Sequence, residues 1–336
     1  MIKKSGELNE KQGDNKMSEK SKLSNGAIYR KTFCFSLRRL LLDLIALIIL
    51  IAATVIGFYV TGQSLIGLGI GALAGIIIFA LLVHFVGYMF GAAQIAMMTK
   101  GVTEDALPDN IFEAGKQEVK DNFATVAAYF AITKMISAIF GEITKGINTI
   151  GKVAGGGAAG DVADTISGII QVVVSYLESC CLGWVFYKKG QNAFKSTCEG
   201  AVLFFKNWKA LIKNLGRIFG LGALSLIVIG GALTVGAYNL LGMFPQFVTA
   251  VSKAVMEARP DLDLSDPTVA LLVVSLLLGI VAWSILHAVF VKPFVLVGVL
   301  RNFMKAGIAN PPKEEQFPEI EKISPKFKKA YAKSTM

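Results

Sequence analysis

Apolar runs of about twenty residues or more occupy most of the middle of this chain, and they limit its fold more than any other feature. A helix needs about 20 residues to cross the roughly 30 Å hydrocarbon core of a bilayer. Only 17% of the residues are charged, whereas soluble domains average about 25%. We therefore predict an all-α, polytopic membrane protein with about six transmembrane helices. The predicted spans are residues 40–60, 65–90, 123–140, 166–187, 218–243 and 269–291.

The connections between these spans alternate between many and few basic residues. The N-terminal segment carries ten, the five connections carry none, three, two, seven and two, and the C-terminal segment carries eight. Because lysine and arginine accumulate in cytoplasmic segments, this order predicts that both termini are cytoplasmic. The same rule accounts for the net charge of +10 without a nucleic-acid partner. We divide the chain into a disordered cytoplasmic tail (1–27), a transmembrane helical domain (28–303) and a basic cytoplasmic tail (304–336).

Residues 188–217 form a basic stretch between two predicted spans, and their pattern is amphipathic. Apolar residues recur at steps of three and four and so share one helix face: Phe194, Cys198, Ala201, Phe205, Trp208 and Ile212. We predict an interfacial helix at the membrane boundary, with its lysines among water and lipid headgroups. Its role would be an elbow between spans, a gate, or a site for anionic lipids. The candidate contact residues are Lys195, Lys206, Trp208, Lys209 and Lys213.

Glycines repeat every four residues in the second predicted span. Gly67, Gly71 and Gly75 form one stripe, and Gly87 and Gly91 repeat the spacing. Small residues at this spacing let helix backbones approach closely where lipid supplies no hydrophobic driving force. The pattern predicts tight packing inside the monomer, and a homodimer seam is the alternative.

Ionisable residues inside the predicted spans are candidate functional positions, because a charge in hydrocarbon is costly. Lys134 lies in the third span, and Glu178 lies in the fourth with Gln171 on the same face. A Lys134–Glu178 pair would neutralise both charges, either as a structural ion pair or as part of a substrate or ion pathway. His287 is a further candidate, for which a hydrogen bond to a neighbouring helix is the alternative.

No residue pattern indicates catalysis, a cofactor or a metal site. The chain has two histidines and four cysteines, and none has metal-ligand spacing. The stretch GINTIGKV at 146–153 resembles a phosphate-binding loop, but Val153 stands where a magnesium-binding Ser or Thr is needed. We therefore predict a protein that is not an enzyme and that uses no cofactor or metal.

The second half of the chain resembles the choline transporter-like family. The residues that carry the resemblance are Gly190, Asn192, Ser196, Ala201, Leu203 and Asn207 before a Gly-rich span, then His287-Ala-Val-Phe290 and Val299-Leu300. The resemblance implies passage of a cationic alcohol or a similar small amphiphile. A site for such a cation needs aromatic faces and a carboxylate, which the resemblance assigns to Glu178 with Tyr176 or Trp184.

These features support three functional hypotheses. The first is a carrier or permease for a small molecule, which the charged residues within the spans and the family resemblance favour. The resemblance implies that this molecule is cationic. The second is a membrane scaffold or assembly factor without transport, which the basic tails favour. The third is a protein that binds lipid headgroups through the lysines of residues 188–217.

Overall fold

The structure is a computed structural model. It describes residues 23–62, 65–123, 128, 130–142, 160–212, 215–259 and 261–334. Within these ranges, the side chains of residues 65, 160–171, 207–212, 215, 247, 250, 254 and 258 are excluded from the description. Most of the N-terminal tail that we predicted over residues 1–27 therefore lies outside the described residues.

Every regular element in the described ranges is helical. In chain order the helices are α1 (Asn25–Val60), α2 (Leu65–Leu81 and Gly87–Thr103), α3 (Ile111–Asn122), α4 (130–142), α5 (Gly160–Tyr187), α6 (Ala193–Ile212), α7 (Leu215–Ser225 and Gly231–Gly242), α8 (Pro245–Ala258), α9 (Pro267–Leu286 and Lys292–Ala309), α10 (Phe317–Ile323) and α11 (Pro325–Ser334). Three π-helical segments join the two parts of α2, α7 and α9, namely Leu82–Val86, Leu226–Gly230 and His287–Val291.

Four helices are long and apolar enough to cross a membrane, and they fit a multi-pass integral membrane protein. They are Asn25–Val60, Ile66–Thr103, Gly216–Gly242 and Pro267–Ala309. For the described part of the chain, this corrects the predicted count of six to four. Of the predicted third span, the structure describes residues 123, 128 and 130–140. Of the fourth, it describes the side chains of Val172–Tyr187, the apolar C-terminal part of α5.

The fourth predicted span has most of its described side chains in a protein core. Its side chains from Tyr176 to Phe186 are largely buried against other protein helices, with Leu177, Cys180 and Cys181 fully buried. An apolar run of moderate length is compatible with either a protein core or a lipid environment, so hydropathy alone does not separate the two.

The first two spanning helices form an antiparallel hairpin. Thr61 and Gly62 make the turn, and Gly62 adopts a φ of +71°, which favours glycine. Gly67 and Gly71 lie where the α2 backbone meets α1: a Cβ at Gly67 would lie 2.5 Å from the carbonyl oxygen of Gly57. The absence of side chains at these positions is therefore what allows the two backbones to approach closely.

The second hairpin pairs α7 with α9. Asp266 caps α9 by accepting hydrogen bonds from the backbone N–H groups of Thr268 and Val269, and Pro267 occupies the first turn. Lower in the hairpin, the indole N–H of Trp283 donates to the Ser225 hydroxyl at 3.1 Å. This bond joins the two helices beside the π-helical segment of α7.

Each hairpin has an upper part with an apolar outer surface and a lower part that packs against other helices. In the upper part, residues 41–86 and 224–286, large apolar side chains face outward; Ile48 is 65% exposed and Ile227 72% exposed. The lower part, which we call the base, buries the main hydrophobic core. The base comprises residues 25–40 of α1, Gly87–Thr103 of α2 and Lys292–Ala309 of α9, together with α3, α4, α5, α6, α10 and α11. The upper part is therefore the region that fits the hydrocarbon of a bilayer.

The first part of helix α6 packs inside the base, whereas its predicted apolar face was expected to meet lipid. Residues 196–204 are all buried, and Cys198 and Ala201 contribute to the main core. The C-terminal helices cover this helix: Phe317 and Phe327 are buried beside it. An amphipathic pattern shows that one face is buried, but it does not show whether protein or lipid buries it.

The segment that we predicted as a basic tail, residues 304–336, includes helices α10 and α11. Glu142 at the end of α4 accepts hydrogen bonds from the Ser324 hydroxyl at 2.6 Å and the backbone N–H of Lys326 at 3.0 Å. A carboxylate at the start of α11 satisfies free N–H groups and complements the helix dipole. This contact ties the C-terminal helices to α4.

Candidate functional site

Charged and polar side chains from four helices meet where the hairpins enter the base, and we call this group the junction. It consists of Arg39 on α1, Ser137 on α4, Tyr176 and Glu178 on α5, and Lys292 on α9. Ser137 and Lys292 both lie within interaction range of the Glu178 carboxylate. The Lys292 ammonium lies 5.6 Å from the centre of the Tyr176 ring. The junction is thus a mixed-charge cluster at the edge of the apolar upper part.

The π-helical segment of α9 places Lys292 in this cluster. Lys292 directly follows the segment His287–Val291, and Pro293 follows Lys292. A π-helical turn frees backbone groups from their usual partners and is frequent at functional sites. Here the Tyr29 hydroxyl donates to the carbonyl oxygen of Phe290 at 3.1 Å. This bond joins the first hairpin to the second, directly beside the junction.

A cleft of about 1060 Å³ opens beside the junction, between α2 and α4. The polar residues that line it include Arg39, His84, Lys134 and Ser137. The His84 ring stacks on Phe130 with 4.2 Å between ring centres and 15° between planes. Above these groups, the cleft wall consists of apolar α2 side chains that continue into the exposed upper part. The cleft therefore joins a basic floor to an apolar surface.

The structure separates the predicted Lys134–Glu178 pair. No ion pair within 4.0 Å joins these two residues, both of which are described. Lys134 is exposed and lines the cleft, whereas Glu178 is directed toward Ser137 and Lys292. The sequence places both residues at similar depth, but the rotation of each helix about its axis gives them different neighbours.

The remaining predicted pathway residues divide between the junction and other places. Tyr176 is buried beside Lys292, as stated above, whereas Trp184 lies in the base. His287 lies against Trp283, with 5.1 Å between ring centres, on the second hairpin. The Gln171 side chain is outside the described residues. Of the aromatic residues assigned by the resemblance, only Tyr176 lies at the junction.

Sequence reasoning missed Arg39 and Lys292 as members of the site. Each lies near the end of an apolar run, where a basic residue ordinarily marks topology or extends to the membrane surface. In the sequence, the one local sign that Lys292 differs from an ordinary terminal lysine was the proline that follows it, Pro293, in the middle of α9. Their meeting with Glu178 depends on contacts between residues more than 100 positions apart.

Of the residues predicted to contact lipid, the structure describes the side chains of Lys195 and Lys206. Lys195 forms an ion pair with Glu314 at 2.5 Å, and Tyr331 donates to the same carboxylate at 3.2 Å. The hydrogen bond from Lys195 lowers the pKa of the Glu314 carboxyl and raises the pKa of Lys195 itself. Lys206 is exposed. The side chains of Trp208 and Lys209 and all of Lys213 lie outside the described residues.

A separate polar network stabilises the base around Glu199, which is only 7% exposed. Its carboxylate accepts hydrogen bonds from the indole N–H of Trp184 and the side-chain amide of Gln191, both at 2.9 Å. The Lys188 ammonium lies 3.9 Å away. Every oxygen of this buried carboxylate therefore has a partner, as a buried charge requires.

Replacing Glu199 by alanine is expected to destabilise the base by about 3 kcal/mol, because it leaves the buried Trp184 N–H without an acceptor and opens a cavity. Glu199→Gln is the control, since an amide oxygen can still accept from Trp184. The thermal unfolding midpoint in detergent, compared for both variants and the parent protein, measures the difference. Equal losses for the two variants would contradict the assigned role of this network.

Comparisons with protein-family models, with curated proteins and with solved structures gave no match for this chain. Its function must therefore be inferred from the geometry of the junction and the cleft.

Proposed function

We propose that this protein is a membrane carrier for an amphiphile that enters the cleft sideways from the bilayer. The observation that supports the proposal is the cleft itself. Its floor is polar and charged, while its upper wall is continuous with the outward-facing apolar surface of α2. A water-soluble substrate gains no favourable contact from an apolar wall. A molecule with an apolar tail can place the tail in lipid and its polar end on the floor.

The two cations and the carboxylate of the junction belong to three different helices, α1, α9 and α5. Packing between the hairpins is concentrated at their lower ends, through Tyr29, Phe33 and Phe290. Relative movement of the hairpins about these contacts would change the cleft without disturbing the base. In this proposal the base and both termini face the cytoplasm, as the distribution of lysine and arginine indicates.

The charge balance of the junction disfavours the cationic substrate implied by the family resemblance. A cation placed between Tyr176 and Glu178 would have to compete with Lys292, which already lies near both groups. Transport of a small amphiphile agrees with the resemblance, but the cationic headgroup that the resemblance implies does not fit the charge of the junction.

The test is transbilayer movement of fluorescent phospholipids in liposomes that contain the purified protein. We expect faster movement than in protein-free liposomes, and Ala80→Trp should reduce it at least about tenfold, because Ala80 lines the cleft at its lipid side. Ala74→Trp is the control: Ala74 is exposed on the same helix and does not line the cleft. Equal rates for the parent protein and Ala80→Trp, or flux of only a water-soluble solute, would overturn the proposal.

A scaffold function is the second candidate, and the exposed upper parts of the hairpins favour it. Val60 is 79% exposed and Ile66 76% exposed at the tip of the first hairpin, and both hairpins offer surfaces for the spanning helices of another membrane protein. Recovery of one stoichiometric membrane partner, combined with no lipid movement in liposomes, would favour this alternative.

A further inference from the structure

The cleft floor carries basic groups without a matching set of acids. Arg39, His84 and Lys134 line the cleft, and no Asp or Glu does so within the described part of the chain. Of the neighbouring described acids, Asp43 is within electrostatic range of Arg39 and Glu178 is within range of Lys292. Among the described residues, no carboxylate lies within 4.0 Å of the Lys134 ammonium.

The donors that the floor offers to a ligand are the side chains of Arg39, His84 and Lys134. Tyr88, Thr133 and Ser137 also line the cleft, where the Thr133 hydroxyl donates to the carbonyl oxygen of Phe130 at 3.2 Å. Guanidinium and ammonium donors are a usual environment of a phosphate group, which offers several acceptor oxygens and a negative charge. The floor thus matches an anionic, oxygen-rich headgroup.

The wall above the floor matches an acyl chain. Ile77, Leu81 and Phe85 line the cleft, and they are 52%, 50% and 46% exposed. The same exposed face of α2 continues upward through Ile70 and Leu73, both 61% exposed. An apolar chain that lies along this face covers surface that would otherwise contact only bulk lipid.

The depth of the cleft matches the headgroup level of one leaflet. It lies where the lipid-facing upper part meets the base, and the base carries most of the basic residues that indicate a cytoplasmic location. The cytoplasmic leaflet is the side that holds anionic lipids and attracts lysine and arginine near the surface.

From these observations we propose that the cleft is a binding site for an anionic phospholipid, with the phosphate on Arg39, His84 and Lys134 and an acyl chain along α2. The inference rests on the proposed function, because it names the substrate class of the same cleft. It commits to a lipid rather than to free phosphate, because the apolar wall has no role in binding an inorganic ion.

The experiment is native mass spectrometry of the full-length protein after exchange into detergent containing equal amounts of phosphatidylglycerol and phosphatidylcholine. We expect the parent protein to retain phosphatidylglycerol in preference. His84→Gln/Lys134→Gln should lower the ratio of the two retained lipids about fivefold, which is the effect of removing one lysine near a membrane surface. Lys305→Gln/Lys322→Gln is the matched control, because both lysines are exposed and neither lines the cleft.

Each outcome decides one of the two proposals. An unchanged ratio in His84→Gln/Lys134→Gln, or equal loss in the control, would overturn the anionic-lipid site, while the movement assay above would still test the carrier. Displacement of the lipid by glycerol 3-phosphate at equal concentration would show that a free phosphate compound is the ligand. Preferential retention of phosphatidylglycerol without any lipid movement would leave the site in place and remove the carrier function.

Discussion

Lys292→Met is expected to destabilise the protein by about 1 kcal/mol, because it removes the cation within electrostatic range of the Glu178 carboxylate. The two side chains form no ion pair within 4.0 Å and both are partly exposed, so the cost lies below the roughly 3–5 kcal/mol of a broken buried ion pair. Methionine keeps the length and apolar stem of lysine, so the change removes the charge with little change in packing. The unfolding midpoint in detergent measures the effect.

A double variant separates electrostatics from packing at the junction. In Lys292→Met/Glu178→Gln neither charge remains, and most of the lost stability should return. Lys305→Met is the matched control, because Lys305 is exposed on the same part of α9. If the double variant were as unstable as the two single losses combined, the two residues would act independently and the junction as described would be incorrect.

Gly71→Leu is expected to separate the first hairpin and to cost at least about 3 kcal/mol, the upper end for added groups in a packed core. A Cβ at Gly71 would lie against the carbonyl oxygen of Ala53 and 3.1 Å from the Cα atoms of Thr54 and Gly57. These are backbone atoms, so no side-chain rotation relieves the contact and the helices themselves must move apart.

The control for this change lies two residues away. Gly69 is exposed, and a Cβ there would have no heavy atom within 4 Å. Gly69→Leu adds the same volume to the same helix and should leave the unfolding midpoint in detergent nearly unchanged. Equal destabilisation by the two substitutions would mean that α2 tolerates no leucine for reasons other than the approach of α1.

Both changes bear on the cleft as well as on stability. Gly71 sets the spacing of α1 and α2 above the cleft, while Lys292 holds the lower part of α9 beside Glu178. A loss of lipid movement in either variant therefore has two possible sources, stability and site geometry. The substitution Ala80→Trp, at an exposed position, is the cleaner probe of the site.

Local composition was sufficient to predict the four spanning helices. Each run exceeds the length that hydrocarbon requires, and the charges fall between the runs. The four-residue spacing of Gly67, Gly71 and Gly75 also marks in the sequence a face that meets another helix in the structure. These features are local, because they depend only on neighbours along one helix.

The neighbours of each charged residue were decided by the tertiary structure. Glu178 lies beside Lys292, which is 114 positions away, and not beside Lys134 as the sequence suggested. Likewise, the apolar residues of Val172–Tyr187 and the amphipathic face of α6 are buried by protein, although their patterns fit lipid equally well. The physical reason is that burial lowers the free energy of an apolar face whatever covers it, so its pattern in sequence does not specify the partner. That partner is set only when distant helices pack together, and the same packing brings the charges of the junction to the cleft.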